Sequence, residues 1–310
     1  MDKDSKIYVA GHTGMVGSAI LRNLYKNGYK NIIVRTHAQL DLTDQLATQE
    51  FFQTEQPEYV FLAAAKVGGI IANKTYPAEF MTQNLLIECN VIKSAYKSNV
   101  KKLMFLGSSC IYPKICPQPI KEEYLLTAPL ETSNEAYALA KITGIKMCQH
   151  YNTQYGTKFI SIMPSSIYGL NDTYDMNNSH VIPALMMKMH SAKEENKPNV
   201  EIWGTGTPLR EFLYVDDLAN ACTFLMNHYE DSEPINVGSG KEISIKELAE
   251  TVKKVIGYEG ELIFDASKPD GTIRKVLDNS KIHNMGWRPN VDFEEGIVIA
   301  YHDYLNKFKI

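Results

Sequence analysis

The sequence contains no CxxC pair, no internal repeat, no low-complexity tract and no long uninterrupted apolar run. Each absence removes a class of protein. The five cysteines, Cys89, Cys110, Cys116, Cys148 and Cys222, are an odd set without metal-binding or redox spacing. We therefore expect free thiols in a reducing compartment, the cytoplasm, and no metal site. The most apolar window, YVFLAAAKVGGIIA at residues 59–72, is interrupted by Lys66. It is shorter than the ~20 residues a membrane-spanning helix needs. The first residues, MDKDSKIYVAGH, lack the basic and long apolar regions of a secretory signal, so neither secretion nor a membrane partner is expected. Basic excess is also missing: the net charge is −4, unlike the footprint of a nucleic-acid binder. Sequons begin at Asn73, Asn171 and Asn177, but without a secretory signal they predict no glycan.

What is present is an ordinary globular composition, 44% hydrophobic and 22% charged, in 310 residues. A chain of this length buries about three quarters of its unfolded surface and needs no covalent staples. It suits one large domain or two joined lobes. Short apolar runs at 6–10, 31–35, 59–64, 102–107 and 159–163 read as strands. They alternate with helical periodicity at 14–28, 43–55, 77–98 and 133–155. This alternation predicts an α/β fold built on a doubly wound parallel sheet. After Pro164 the pattern loosens. VEIWG, PINVG and GELIFD read as short strands, and 244–257 and 293–306 as helices. We expect a dinucleotide-binding domain over 1–170 and a smaller mixed α/β substrate lobe over 171–310, with the chain free to cross back between them.

The run VAGHTGMVG sets Gly11, Gly14 and Gly17 between the first strand and its helix. Such a turn lets the backbone approach a pyrophosphate, which then rests on the helix N-terminus. The second strand ends VRTH, with Arg35 and His37 where an NAD site would carry an acid. A guanidinium there suits a 2′-phosphate, so NADP(H) is the expected cofactor. Asp41, in LDL at 40–42, falls near the adenine pocket.

Tyr137 and Lys141, in YALAK, stand at i and i+4 and share one helical face. A charge ~4 Å from a phenol, at an effective dielectric of ~20, contributes about 4 kcal/mol. That is up to about three pKa units before solvation losses, which predicts that Lys141 acidifies Tyr137 toward proton donation near neutral pH. Read alone, a Tyr and a Lys on one helix are common. Ser108, ending the strand before them in GSSCIYP, completes the set a ketone reductase needs.

The order of glycine turn, strand-end serine and Tyr-x-x-x-Lys resembles the extended short-chain dehydrogenase/reductases. The runs AAAKVGGI, GSSCIYP, NSHVIPAL, WGTGTPLREFLYVDDLA and FDASKPDGTIRK are similar, within that group, to the GDP-L-fucose synthases, GDP-4-keto-6-deoxymannose 3,5-epimerase/4-reductases. The resemblance runs from about residue 6 to the end of the chain. It implies a GDP-sugar substrate, NADP(H) and a homodimer. It also explains Cys110. A C4 ketone acidifies the hydrogens on C3 and C5, and inverting those centres needs an acid/base pair that reduction does not. The resemblance assigns that pair to Cys110, as base, and His180, as acid. Without it, Cys110 reads as a small buried hydrophobe and His180 as a capping or surface histidine. Cys116 matches no family motif and reads as a loop thiol.

The same resemblance implies cofactor contacts from His12, Thr13, Met15, Val16, Leu42, Ala63 and Ala64. Leu106, Gly107, Ser108 and Ser109 join them, as do Tyr137, Lys141, Pro164, Ser165, Ser166, Ile167 and His180. Lys188, Trp203, Arg210, Asp270 and Lys275 would bind the sugar nucleotide, with Arg210 facing its diphosphate. Two departures from the family pattern bear on the cofactor. Thr13 and His37 stand where the family often has arginine, leaving Arg35 more of the 2′-phosphate. Ser166 stands where it often has asparagine.

Overall fold

Strands that are buried at every position, rather than at alternate ones, make the centre of the molecule. IYVA of the first strand and KLMFL of the fourth are buried throughout, as expected where helices cover both faces of a parallel sheet. The computed structural model describes residues 1–175, 179–268 and 270–309. The Asn177 sequon lies outside the described residues.

In chain order the elements begin β1 (Ile7–Ala10), α1 (Met15–Lys26), β2 (Ile32–Ile33), α2 (Gln45–Glu55) and β3 (Tyr59–Leu62). They continue α3 (Ile70–Thr75), α4 (Pro77–Lys97), β4 (Lys102–Leu106), α5 (Glu135–Tyr155), β5 (Phe159–Pro164) and β6 (Ser166–Tyr168). Then come α6 (Val181–Glu194), β7 (Asn199–Trp203), β8 (Leu209–Tyr214), α7 (Val215–His228), β9 (Ile235–Val237) and β10 (Glu242–Ser244). The last are α8 (Ile245–Ile256), β11 (Glu261–Asp265), β12 (Arg274–Lys275), α9 (Ser280–Asn284) and α10 (Phe293–Phe308).

The main sheet has the order β2-β1-β3-β4-β5-β9, parallel throughout. α2, α4 and α5 pack on one face around Phe52, Val91, Phe105 and Ile145. α1, α7 and α9 pack on the other around Ile20, Met104, Leu218 and Ile282. A third core, with Met186, Phe212, Leu248 and Ile297, joins α6, α8 and α10 to a mixed sheet in which β8 pairs β6, β10 and β12. β11 and β7 form a separate parallel pair.

The α/β fold with its parallel sheet is the one expected. The chain returns to the first sheet at β9, because Ile162–Pro164 of β5 still have a free edge that Ile235–Val237 fill. Four helices, α3, α6, α7 and α9, have no counterpart in the sequence expectations. Pro183 looks like a breaker, yet it falls in the first turn of α6, where its missing N–H has no intrahelical partner to lose. β2 is only two residues long.

The folded chain also accounts for two sequons. Asn73 is buried and its amide donates to the carbonyls of Gly68 and Gly69. The Asn171 amide donates to the Thr13 carbonyl. Strand order reverses between β2 and β3, on either side of β1. In an open α/β sheet this is where a crevice opens beyond the carboxyl ends of the strands.

Candidate active site

A cleft of about 650 Å³ occupies that crevice. From the β1–α1 turn it is lined by Gly11, Thr13, Gly14, Met15, Val16 and Gly17. Gly11 has φ +83°, which L side chains rarely adopt, and a Cβ there would lie 2.7 Å from Ala64 N. A Cβ on Gly17 would lie 2.1 Å from the Gly11 carbonyl oxygen. Helix and turn are therefore locked together. α1 opens at Gly14 with no side-chain cap and no acidic residue in its first turn, a setting that suits an anion. Of the expected cofactor contacts only His12 does not line the cleft; its Nδ1 is buried without a hydrogen-bond partner among the described residues.

At the end of β2, Arg35 and His37 line the cleft. Arg35 is already engaged: Nη2 donates to Glu55 Oε1 at 2.6 Å, and Glu55 also pairs with Lys6 at 3.1 Å. Asp41 and Leu42 sit beside them with Tyr8, Leu40 and Thr43. Hydrogen bonds from Thr43 hold Asp41 below the usual carboxylate range. From β3 come Ala63, Ala64 and Lys66. Asn84, buried on α4, fixes this loop by accepting from Lys66 N at 2.9 Å and donating to Lys66 O at 3.0 Å.

β4 delivers Leu106, Gly107, Ser108, Ser109 and Cys110 to the cleft. Ser108 caps the short helical turn Ser109–Ile111, accepting from Cys110 N at 3.2 Å, and its hydroxyl also hydrogen-bonds Tyr137. β5 and β6 contribute Pro164, Ser165, Ser166 and Ile167, and His180 enters from the N-cap of α6. The His180 side chain makes no capping bond. It is open to the cleft, yet crowded enough that desolvation lowers its pKa. Lys275, from β12 of the smaller sheet, reaches across to Cys110, with Nζ 3.7 Å from Sγ.

Tyr137 and Lys141 both line the cleft from α5, as their spacing predicts. The electrostatic expectation fails. Burial pushes the Tyr137 phenol up, the charges of Cys110 and Glu88 push it further, and only the Ser108 hydrogen bond opposes them. Lys141 turns instead to Glu88, with Nζ 3.3 Å from Oε1. A carboxylate from the neighbouring helix competes for the ammonium, and residue spacing on one helix carries no sign of it.

Four expected substrate residues stand outside this cleft. Arg210 is the register partner of Lys275, on β8 and β12. It faces Asp270, whose carboxylate accepts from Thr205 N at 2.6 Å and Thr205 Oγ1 at 2.8 Å. Desolvation lowers the Arg210 pKa and Asp270 opposes that. Beside them Lys188 and Lys268 each lie 5.8 Å from the exposed Trp203 ring. Cys116 is half-buried and lines neither group, and burial raises its pKa.

Cleft residues that the sequence expectations did not assign to the site include Lys66, Gln83 and Asn134. Asn134 Oδ1 is buried without a hydrogen-bond partner among the described residues. A second hollow, about 550 Å³, lies at the amino ends of the strands near Lys102 and Tyr155 and holds none of the motif residues.

The chain matches the NAD dependent epimerase/dehydratase family over residues 7–238. It is 57% identical over 304 residues to GDP-L-fucose synthase 1 of Arabidopsis thaliana, covering 98% of this chain and 94% of that protein. The GDP-L-colitose synthase of Yersinia pseudotuberculosis is more distant, 38% identical over 304 residues, covering 97% of this chain and 98% of that protein. A solved GDP-L-fucose synthetase from Naegleria fowleri bound to NADP is similar with a TM-score of 0.92 at 29% identity, covering 100% of this chain and 96% of that one.

Proposed function

The chain belongs to the NAD dependent epimerase/dehydratase family, among its GDP-L-fucose synthases, and from that premise we propose the reaction it performs. It inverts C3 and C5 of GDP-4-dehydro-6-deoxy-D-mannose and then reduces the C4 ketone with NADPH, yielding GDP-L-fucose. The observation that carries this reading is the convergence of Cys110 and His180 with Ser108, Tyr137 and Lys141 in one cleft. A plain ketone reductase has no use for the first two.

The residues fit the dinucleotide. The tight Gly11–Gly17 contact and the uncapped start of α1 suit its pyrophosphate, and Arg35 and His37 stand where a 2′-phosphate is read. NADPH, when bound, supplies the hydride for C4. Ser108 and Tyr137 hydrogen-bond the C4 oxygen, stabilising the enolate during epimerisation and the alkoxide during reduction. Tyr137 then yields its proton to that oxygen, and its high pKa in the folded protein keeps it protonated until the charge develops. Cys110 removes the proton from carbon and His180 returns one to the opposite face. Lys275 keeps a cation beside the sulfur while it carries charge.

Arg210 binds the diphosphate, and Lys188, Trp203 and Asp270 hold the rest of the sugar nucleotide, Trp203 by its exposed ring face. Residues 1–170 serve mainly the cofactor and 171–310 mainly the substrate, with β9 crossing back. The five free thiols suit a cytoplasmic enzyme. Two copies pair through α4 and α5, whose outer faces expose Leu86 and Leu139.

Incubation with GDP-4-dehydro-6-deoxymannose and NADPH, followed by NMR of the product, tests the reaction. GDP-L-fucose is expected. A product inverted at C5 alone would favour the colitose-type alternative, and a product with neither centre inverted would make the chain a simple reductase.

A further inference from the structure

Glu88 belongs to none of the motifs that drew attention in the sequence. It lies on the α4 face that packs against α5, with its side chain 1% exposed. Its Oε1 is 3.3 Å from Lys141 Nζ, itself 2% exposed. Apart from this ion pair, neither carboxylate oxygen has a hydrogen-bond partner among the described residues. The surroundings are apolar. Lys141 Nζ lies 4.6 Å from the Phe105 ring centroid and 6.0 Å from that of Tyr137. α5 sits so closely on β4 that a Cβ at Gly144 would be 2.4 Å from Phe105 Cζ.

Two ions buried in such a place gain little stability, and well-packed apolar side chains often replace a pair of this kind without loss. Removing one member is different, because it strands the other charge. The pair therefore asks for an explanation other than stability, and its cleft-lining member is the lysine assigned to reduction. We propose that Glu88 is a positioning residue for C4 reduction, holding the Lys141 ammonium charged and fixed beside Tyr137. This rests on the proposed reductase reading of Tyr137 and Lys141.

The groups facing Glu88 are Lys141, Tyr137 and Cys148 from α5. Cys89 adjoins it on α4, with Lys93 next along that helix, and β4 presents the uncharged Phe105 ring to Lys141. Burial pushes the Glu88 carboxyl up to about 7, against the pull of Lys141. The carboxylate is thus complete only above that pH, and Lys141 loses its counter-ion as pH falls through it. Replacing Glu88 by a neutral isostere removes the counter-ion at every pH, and a buried charge left without its partner is disfavoured.

The test is Glu88→Gln, with kcat for C4 reduction followed against pH. The expected result is a loss of about tenfold or more in kcat, with the basic limb moved about one to two units toward acid. The NADPH dissociation constant, measured by calorimetry, should change little. Glu88→Asp keeps the charge and should recover part of both the rate and the limb. A purely structural residue would lower the melting temperature and leave the limb in place, and that outcome overturns the proposal. If Glu88→Gln does not fold, Glu88→Asp carries the test, with kcat lowered severalfold and the limb moved part of the way; an unmoved limb overturns the proposal there too. Lys141→Met separates the two readings. If it leaves reduction intact, the assignment of Lys141 fails; if it abolishes reduction while Glu88→Gln is silent, only the role of Glu88 fails.

Discussion

Lys275 and Cys110, separated by 165 residues of sequence, meet with Nζ 3.7 Å from Sγ. The contact joins a strand of the smaller sheet to the loop that follows β4 of the larger one. It sets a cation beside a thiol at the mouth of a reductase cleft, where reduction alone gives the sulfur nothing to do.

Cys110→Ser should therefore damage proton exchange at C3 and C5. A hydroxyl is a far weaker base than a thiol, and a general acid–base group contributes about 10²- to 10⁴-fold. The measurement is deuterium wash-in from D₂O with NADP⁺ in place of NADPH, so that no hydride is available. Lys275→Met should slow the same wash-in, and Cys116→Ser should behave as wild type. Full exchange in Cys110→Ser would reduce that cysteine to packing.

Tyr137→Phe should lower reduction of C4 by about 10²- to 10⁴-fold while the protein still folds and binds NADPH. The phenol is protonated until charge develops on the substrate oxygen, so the loss belongs in turnover rather than in binding. Single-turnover kinetics read this directly, and near-normal turnover would assign the proton donor elsewhere.

His180 supplies a pH dependence of definite sign. Desolvation lowers its pKa from the ordinary 6.5, so the imidazolium accumulates only on the acid side of that value. As proton donor it should make deuterium wash-in fall as pH rises through this region. C4 reduction of substrate already inverted needs no proton from His180 and should not follow the same curve. Wash-in that instead rises with pH through the window would exchange the roles of His180 and Cys110.

Arg35 and Glu55 together should set the preference for NADPH over NADH. Arg35→Ala should raise the Michaelis constant for NADPH by about ten- to a hundredfold, the worth of a charge-assisted hydrogen bond, and change that for NADH little. Glu55→Gln frees the guanidinium from its 2.6 Å partner and should strengthen the preference for NADPH severalfold. Equal effects on the two cofactors in Arg35→Ala would remove that residue from the site.

Local pattern made the central strands and the helices α1, α4, α5 and α8 legible, because fully apolar runs and helical periodicity are properties of neighbouring residues. The glycine turn was legible for a related reason: Gly11 and Gly17 are demanded by a backbone crossing confined to a few residues. Resemblance brought Cys110, His180 and Lys275 into view, residues that spacing alone gave no reason to join. Only the tertiary structure could oppose Lys141 to Glu88 and Arg35 to Glu55. Each of these pairs depends on how two separate elements pack, and a buried charge takes whichever partner the packing brings near. For that reason Tyr137 and Lys141 share the face that their spacing dictates, yet the phenol's titration follows its burial rather than the lysine four residues away.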